Sequence, residues 1–181
     1  MGYAVAEAAR ERGWEVQLVS GPVAAVAPEG VALTTVETAR DMLEACLHLF
    51  PDTELLVMTA AVCDHRPAEP SQQKLKKADF PSSLKLAPNP DVLAELGKHK
   101  QPGQTLVGFA AETEDGLENA RRKMVAKNLD WIALNDVSTP GSGFASDYNE
   151  LTLLASDGSS TVIGPASKQE VARTLLRAVV P

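Results

Sequence analysis

Leu55-Leu56-Val57-Met58-Thr59-Ala60-Ala61-Val62-Cys63-Asp64 is the stretch that decides the fold: a short apolar run gives way to a turn of small residues and then to a carboxylate. A continuous apolar run of this length fits a strand buried on both faces in a parallel sheet. Whatever follows such a strand stands at the carboxyl edge of the sheet, where open α/β sheets bind their ligands. Thr59, Ala60 and Ala61 are too small to crowd a ligand there. Asp64 and the later Lys74 supply opposite charges within reach of the same edge.

Outward from this strand, helix and strand patterns alternate. Gly2 to Arg12 sets Ala4, Val5, Ala8 and Ala9 on one helical face against Glu7, Arg10, Glu11 and Arg12, and Gly13 closes the helix. Trp14 to Val19 alternates apolar and polar residues before Ser20-Gly21-Pro22 breaks the run, and Val31 to Val36 is a second β-like run. Thr38 to Phe50 carries Met42, Leu43, Cys46, Leu47 and Phe50 at helical spacing.

Downstream, residues 66–88 change character. Pro67, Pro70 and Pro81 interrupt a lysine-rich segment, which predicts a projecting flap with extended arms at Lys74 to Lys77 and Ser83 to Leu86. Asn89-Pro90-Asp91 reads as a helix entry, with a capping residue and a proline in the first turn, for a helix to about Lys98. Thr105 to Phe109 reads as strand, Glu112 to Lys127 as helix, and Trp131 to Leu134 as a strand ending at Asn135-Asp136. Glu150 to Ala155 and Ser160 to Ile163, joined through Asp157-Gly158, predict a hairpin, and Lys168 to Val179 an amphipathic last helix. The order predicts one domain over 1–181: an α/β, Rossmann-like doubly wound, mainly parallel sheet with a projecting flap and a late antiparallel hairpin. Such a sheet ordinarily opens with a strand and a glycine-rich loop, whereas this sequence opens on the helix, so an N-terminal truncation is expected.

The chain has 181 residues, the size of one domain with a sizeable core. Its 17 Lys+Arg against 24 Asp+Glu leave a net charge of −7, which gives no support for a nucleic-acid or anionic-membrane surface, so any phosphate site is local. Cys46 and Cys63 have neither metal-site spacing nor the density of a secreted disulfide scaffold and fit a reducing cytoplasm, with Cys46 in the core. Apolar stretches fall short of the roughly 20 residues that span a bilayer.

Each candidate motif also has a plain structural reading. Asp64 can cap a turn, and the lysines from Lys74 to Lys77 can form a solvated face or protect a strand edge. Asn89-Pro90-Asp91 can be only a helix cap, and Phe109 in Gly108-Phe109-Ala110-Ala111-Glu112-Thr113 can fill core or stack on a nucleobase. Lys123 and Lys127, one turn apart, suit triphosphate charge but also suit any surface helix. Asn135-Asp136-Val137-Ser138 and Gly143-Phe144-Ala145-Ser146-Asp147-Tyr148-Asn149 can be turn chemistry.

In their order, these motifs resemble the phosphopantothenoylcysteine synthetase (phosphopantothenate–cysteine ligase) family, the second activity of the bifunctional bacterial coenzyme A biosynthesis protein. The resemblance covers essentially the whole chain. It rests also on Met1-Gly2-Tyr3-Ala4, Leu18-Val19-Ser20-Gly21-Pro22 and Lys127-Asn128-Leu129-Asp130. It implies that the carboxylate of 4′-phosphopantothenate is activated by CTP, or ATP, with Mg²⁺, through an acyl-nucleotide that the amine of L-cysteine resolves. It implies Lys74 as the catalytic lysine, and Met58, Thr59, Ala60, Asp64, Lys74, Pro90, Asp91, Val92, Leu93, Phe109, Lys123 and Lys127 as nucleotide-binding, with Ala61 at the substrate. It further implies a cytoplasmic homodimer formed through the flap, and a decarboxylase half on a fused or separate chain. In the family pattern a first strand and a serine/glycine-rich segment with an active-site asparagine precede the motif that begins here at Met1.

Two other classes stay open on the residues. A nicotinamide-dependent oxidoreductase wants an acid at the end of its second strand, where this chain has Val19-Ser20-Gly21. A non-catalytic nucleotide-binding or interaction fragment would keep Asp64, Phe109 and the lysines without turnover.

Overall fold

The computed structural model describes residues 1–71, 73–76, 82–112, 116–136 and 147–180. Helix α1 (Gly2–Glu11) stops at Gly13, whose φ of +76° costs a glycine little. Strand β1 (Gln17–Ser20) begins later than the alternation predicts. Trp14 packs instead against the layer of the first and last helices, with the Arg12 guanidinium 4.5 Å from its ring centroid. β1 pairs in parallel with β2 (Ala32–Thr35). Helix α2 (Ala39–Leu49) opens on a capping box: Thr38 Oγ1 accepts from the Asp41 N–H at 3.1 Å, and Asp41 accepts from the Thr38 N–H at 2.9 Å.

A single 3₁₀ turn (Phe50–Asp52) leads into β3 (Leu55–Met58), which falls where the sequence puts it. Its burial does not. β3 is an outer strand of the five-stranded sheet β3-β6-β7-β8-β9: Leu56 and Met58 pack on one helical layer and Leu55 and Val57 on the other, but the open edge leaves all four half-buried. The flap is a short antiparallel pair, β4 (His65–Pro67) with β5 (Leu86–Pro88). The ladder therefore lies at the base of the flap, and Lys74 to Lys76 are irregular chain beyond it, contrary to the extended arms expected there.

Helix α3 (Val92–His99) is capped by Asp91, so Pro90 precedes the helix instead of occupying its first turn. The remaining elements are β6 (Thr105–Glu112), α4 (Gly116–Ala126), β7 (Trp131–Asp136), β8 (Tyr148–Ala155), β9 (Ser160–Ser167) and α5 (Lys168–Val179). β3, β6 and β7 run parallel, while β7–β8 and β8–β9 are antiparallel. The late hairpin is thus real and longer than its apolar runs.

Helices cover both faces, as doubly winding requires. On one side α2, α3 and α4 bury Met42, Leu93, Leu96 and Met124 against Leu106, Ala110 and Ile132 of the sheet. On the other, α1 and α5 bury Val5, Ala8, Val171, Leu175 and Leu176 against Val107, Ala133, Leu151 and Leu153. Burying each large aliphatic side chain contributes about 1.5–3 kcal/mol, so these two layers carry the domain. α1 and α5 are also tied at their rims: Glu7 accepts from Gln169 Nε2 at 2.8 Å, and Arg173 grips the Glu11 carboxylate at 2.8 and 2.9 Å.

Candidate nucleotide site

The carboxyl edge of β3 is built from small contacts. Met58 packs against the α2–α4 layer, and Thr59 lies against the start of α1, where a Cβ on Gly2 would come within 2.7 Å of the Thr59 hydroxyl. Ala60, Ala61 and Asp64 are exposed. The chain then leaves the edge into the flap and returns at Asn89, where three segments meet. The Asn89 N–H donates to the Asp64 carbonyl at 2.7 Å, and Asn89 Nδ2 donates to the Cys63 carbonyl at 2.8 Å. Arg66 donates to Asn89 Oδ1 at 3.1 Å and to the Pro88 carbonyl. Arg66 was not singled out in the sequence, and Asn89 only as a cap. The signal for Asn89 was its place between two prolines.

One residue on from Pro90, Asp91 accepts from the Ala94 N–H at 3.0 Å and caps α3. Val92 and Leu93 are buried, so that only their backbone N–H groups can serve a ligand at this helix N-terminus. Asp91 also holds Lys127, its two carboxylate oxygens lying 2.8 and 3.1 Å from the ammonium. Burial works against the Asp91 charge, but the hydrogen bonds from Lys127 and the Ala94 N–H, with the Lys127 charge, outweigh it and hold this carboxyl below its ordinary value.

Gly97 explains how a residue just past α4 reaches the start of α3. A Cβ on Gly97 would sit 1.9 Å from the Lys127 carbonyl oxygen, so α3 crosses the Lys127-Asn128 chain at a distance that only glycine permits. Asn128, at a φ of +53°, donates through Nδ2 to the Gly97 carbonyl at 3.0 Å and locks the crossing. Gly108 plays the matching part on the sheet: a Cβ there would meet Leu129 Cδ1 at 2.8 Å and Leu93 Cδ2 at 3.0 Å.

Asp64, Pro90, Asp91, the first turn of α3 and Lys127 are therefore gathered at one edge. Lys123 lies in the last turn of α4, where its carbonyl accepts the Lys127 N–H at 3.0 Å. Phe109 is half-buried and packs with the α1–α5 layer, on the face of β6 opposite to Gly108 and α3. Lys74 is exposed on the flap and makes no ion pair with the described residues. Lys77, Thr113 and the Val137 to Ser146 part of the two late motifs lie outside the described residues. Among the described residues no group of three or more His, Cys, Asp or Glu side chains is placed to hold a metal ion, and no helix is long and apolar enough to cross a membrane.

A doubly wound sheet whose carboxyl edge meets a capped helix N-terminus and a lysine is built on the plan of the α/β proteins that bind anionic ligands there. Along residues 1–181 the chain matches the model of the DNA/pantothenate metabolism flavoprotein C-terminal domain, and it belongs to that family. It is 43% identical over 180 residues to the coenzyme A biosynthesis bifunctional protein CoaBC of Bacillus subtilis (strain 168), covering 99% of this chain and 44% of that protein. The chain thus spans less than half the length of this relative. A crystal structure of the C-terminal domain of CoaBC superposes with a TM-score of 0.81 at 36% identity, over 98% of this chain and 79% of that one. A Cab2 mutant in complex with phosphopantothenate-cysteine shares the fold, with a TM-score of 0.64 at 17% identity over 84% of this chain and 52% of that one.

Proposed function

We propose that this chain carries the phosphopantothenate–cysteine ligase step of coenzyme A biosynthesis. The observation that carries the reading is the match, over 99% of this chain, to part of a CoaBC protein at 43% identity. In this reading CTP, or ATP, activates the carboxylate of 4′-phosphopantothenate, pyrophosphate leaves, and the amine of L-cysteine displaces the nucleotide.

The site suits the first half-reaction. The α3 N-terminus turns the backbone N–H groups of its first residues toward a phosphate, and Lys127 offers a cation that an incoming anion can draw from Asp91. Met58, Thr59, Ala60, Asp64, Pro90, Asp91, Val92, Leu93, Phe109 and Lys123 complete the nucleotide site in this assignment, with Ala61 toward the substrate. Lys74 is the catalytic residue, brought by the flap to the charge that develops at the α-phosphate. Mg²⁺ ordinarily uses one or two carboxylates together with substrate phosphates. The exposed Asp64 fits such an ion, which would offset the charge of the leaving pyrophosphate. Leu75, Leu84 and Leu86 are exposed on the flap, which favours its burial against a second copy in a cytoplasmic homodimer.

The test is pyrophosphate release from CTP, and from ATP, with phosphopantothenate and cysteine omitted in turn. Release that does not depend on phosphopantothenate refutes the ligase reading. Lys74→Gln should slow turnover by roughly 10²-fold with little change in nucleotide affinity, the scale for one preorganised electrostatic group.

A further inference from the structure

The flap that carries Lys74 joins the domain by a narrow neck. Its ladder is only His65 to Pro67 against Leu86 to Pro88, and every residue of it is exposed except the half-buried Ala87. A two-stranded ribbon of this size is marginal by itself, so its direction must be fixed where it meets the sheet edge. The hydrogen bonds of Asn89 and Arg66 converge there.

Pro88 and Pro90 have no N–H, which leaves the Asn89 amide as the one backbone donor of the return strand at this point, and it goes to Asp64. The Asn89 carboxamide uses both ends, its nitrogen on the Cys63 carbonyl and its oxygen on Arg66. Arg66 Nη1, on the outgoing strand, donates both to that oxygen and to the Pro88 carbonyl, and so ties the outgoing strand to two adjacent residues of the returning one. The cap of α3 follows after Pro90, so the same contacts fix the flap relative to Asp91 and Lys127.

We propose that Arg66 and Asn89 are positioning residues that latch the neck of the flap and thereby set where Lys74 stands relative to the α3 N-terminus. Its catalytic consequence rests on the ligase reading above. The latch needs a donor and an acceptor on one side chain at position 89 and a terminal nitrogen at position 66 that donates to both Asn89 and Pro88. Asn89→Ala and Arg66→Ala therefore release it.

The experiment is a double-mutant cycle of Asn89→Ala with Lys74→Gln, run beside hydrogen exchange of the Ala68 and residue-89 amides. Losing two side-chain hydrogen bonds should lower kcat roughly tenfold, with the nucleotide KM changed less than about threefold, and speed neck exchange about tenfold without altering β6. In the Lys74→Gln background the same Asn89 change should cost less than about twofold, because its effect passes through Lys74. An undiminished loss in that background, or a lowered Tm with kcat unchanged, overturns the proposal. If the unmutated chain shows no phosphopantothenate-dependent pyrophosphate release, that failure falls on the ligase reading. Neck exchange then decides the latch alone: acceleration upholds it, and unchanged exchange overturns it.

Discussion

Gly97→Ala tests the helix crossing that brings Lys127 to Asp91. The new Cβ would lie 1.9 Å from the Lys127 carbonyl oxygen and 2.8 Å from its carbon, and both are backbone atoms that cannot rotate away. A carbon–oxygen contact relaxes at about 3.3 Å, so α3 and the Lys127-Asn128 chain must part by roughly 1.4 Å. That shift stretches the 3.0 Å Asn128–Gly97 bond and the 2.8 Å Lys127–Asp91 pair beyond useful range. Overpacking of this kind costs about 1–3 kcal/mol and the lost hydrogen bond about 1 kcal/mol more. Against this, alanine in a helix gains about 1 kcal/mol over glycine. The net expectation is a destabilisation of about 1–3 kcal/mol in urea unfolding, together with weakened CTP binding by titration. A variant stabilised by about 1 kcal/mol, with nucleotide affinity intact, would show that propensity alone governs this position and that the close crossing does not position Lys127.

Asp91→Asn keeps a good capping side chain and removes only the charge that answers Lys127. Because the folded Asp91 carboxyl titrates below its unfolded value of about 3.9, its contribution is present above that pH and is lost as pH falls through the folded value. The stability gap between the two proteins, less than about 1 kcal/mol for so exposed a pair, should be flat from about pH 5 to 8 and close below about pH 4. A gap unchanged at pH 3 would contradict the pairing. Burial pushes the Cys46 thiol up to about 11, whereas Cys63 is exposed. A chromogenic thiol reagent at pH 8 should find one fast thiol in the folded protein and a second only after denaturation, and two fast thiols would place Cys46 outside the core.

Periodicity made most of the elements legible, because burial on one side of a helix leaves a repeating apolar mark. β3 and α5 fall on the residues that pattern marks. Edge position left no such mark. The apolar run of β3 looks the same whether neighbours flank it on one side or two, so its half-exposure was not readable. Nor was the true ladder of the flap, which pairs proline-containing segments that carry little strand signal.

At the site, the Asn89-Pro90-Asp91 helix entry and Lys127 as a cation were visible separately, although the pattern put the cap at Asn89 and the structure puts it at Asp91. The contact of Asp91 with Lys127 depends on Gly97, an unremarked glycine whose importance is the backbone it lets pass. Asp130 of the Lys127-Asn128-Leu129-Asp130 motif is explained by structure: its carboxylate takes Lys100 Nζ at 2.6 and 2.7 Å and the Leu106 N–H at 2.7 Å, tying the start of β6 to the turn after α4. Phe109 was readable as an aromatic at a strand end, but the face it takes is set by the parity of β6, which one residue of register decides.

The pairing of α1 with α5 has a consequence for how the chain is made. Glu7 and its partner Gln169 are 162 positions apart. At a synthesis rate of about 5–20 residues per second, the first helix waits roughly 8–30 s before the helix that covers it leaves the ribosome. During that interval Val5, Ala8 and Ala9 have no α5 to pack on, and the α2–α4 layer is complete in sequence well before its counterpart. One face of the sheet can thus settle before the other, which closes only once α5 has emerged. A nascent-chain chaperone would find its binding surface on α1.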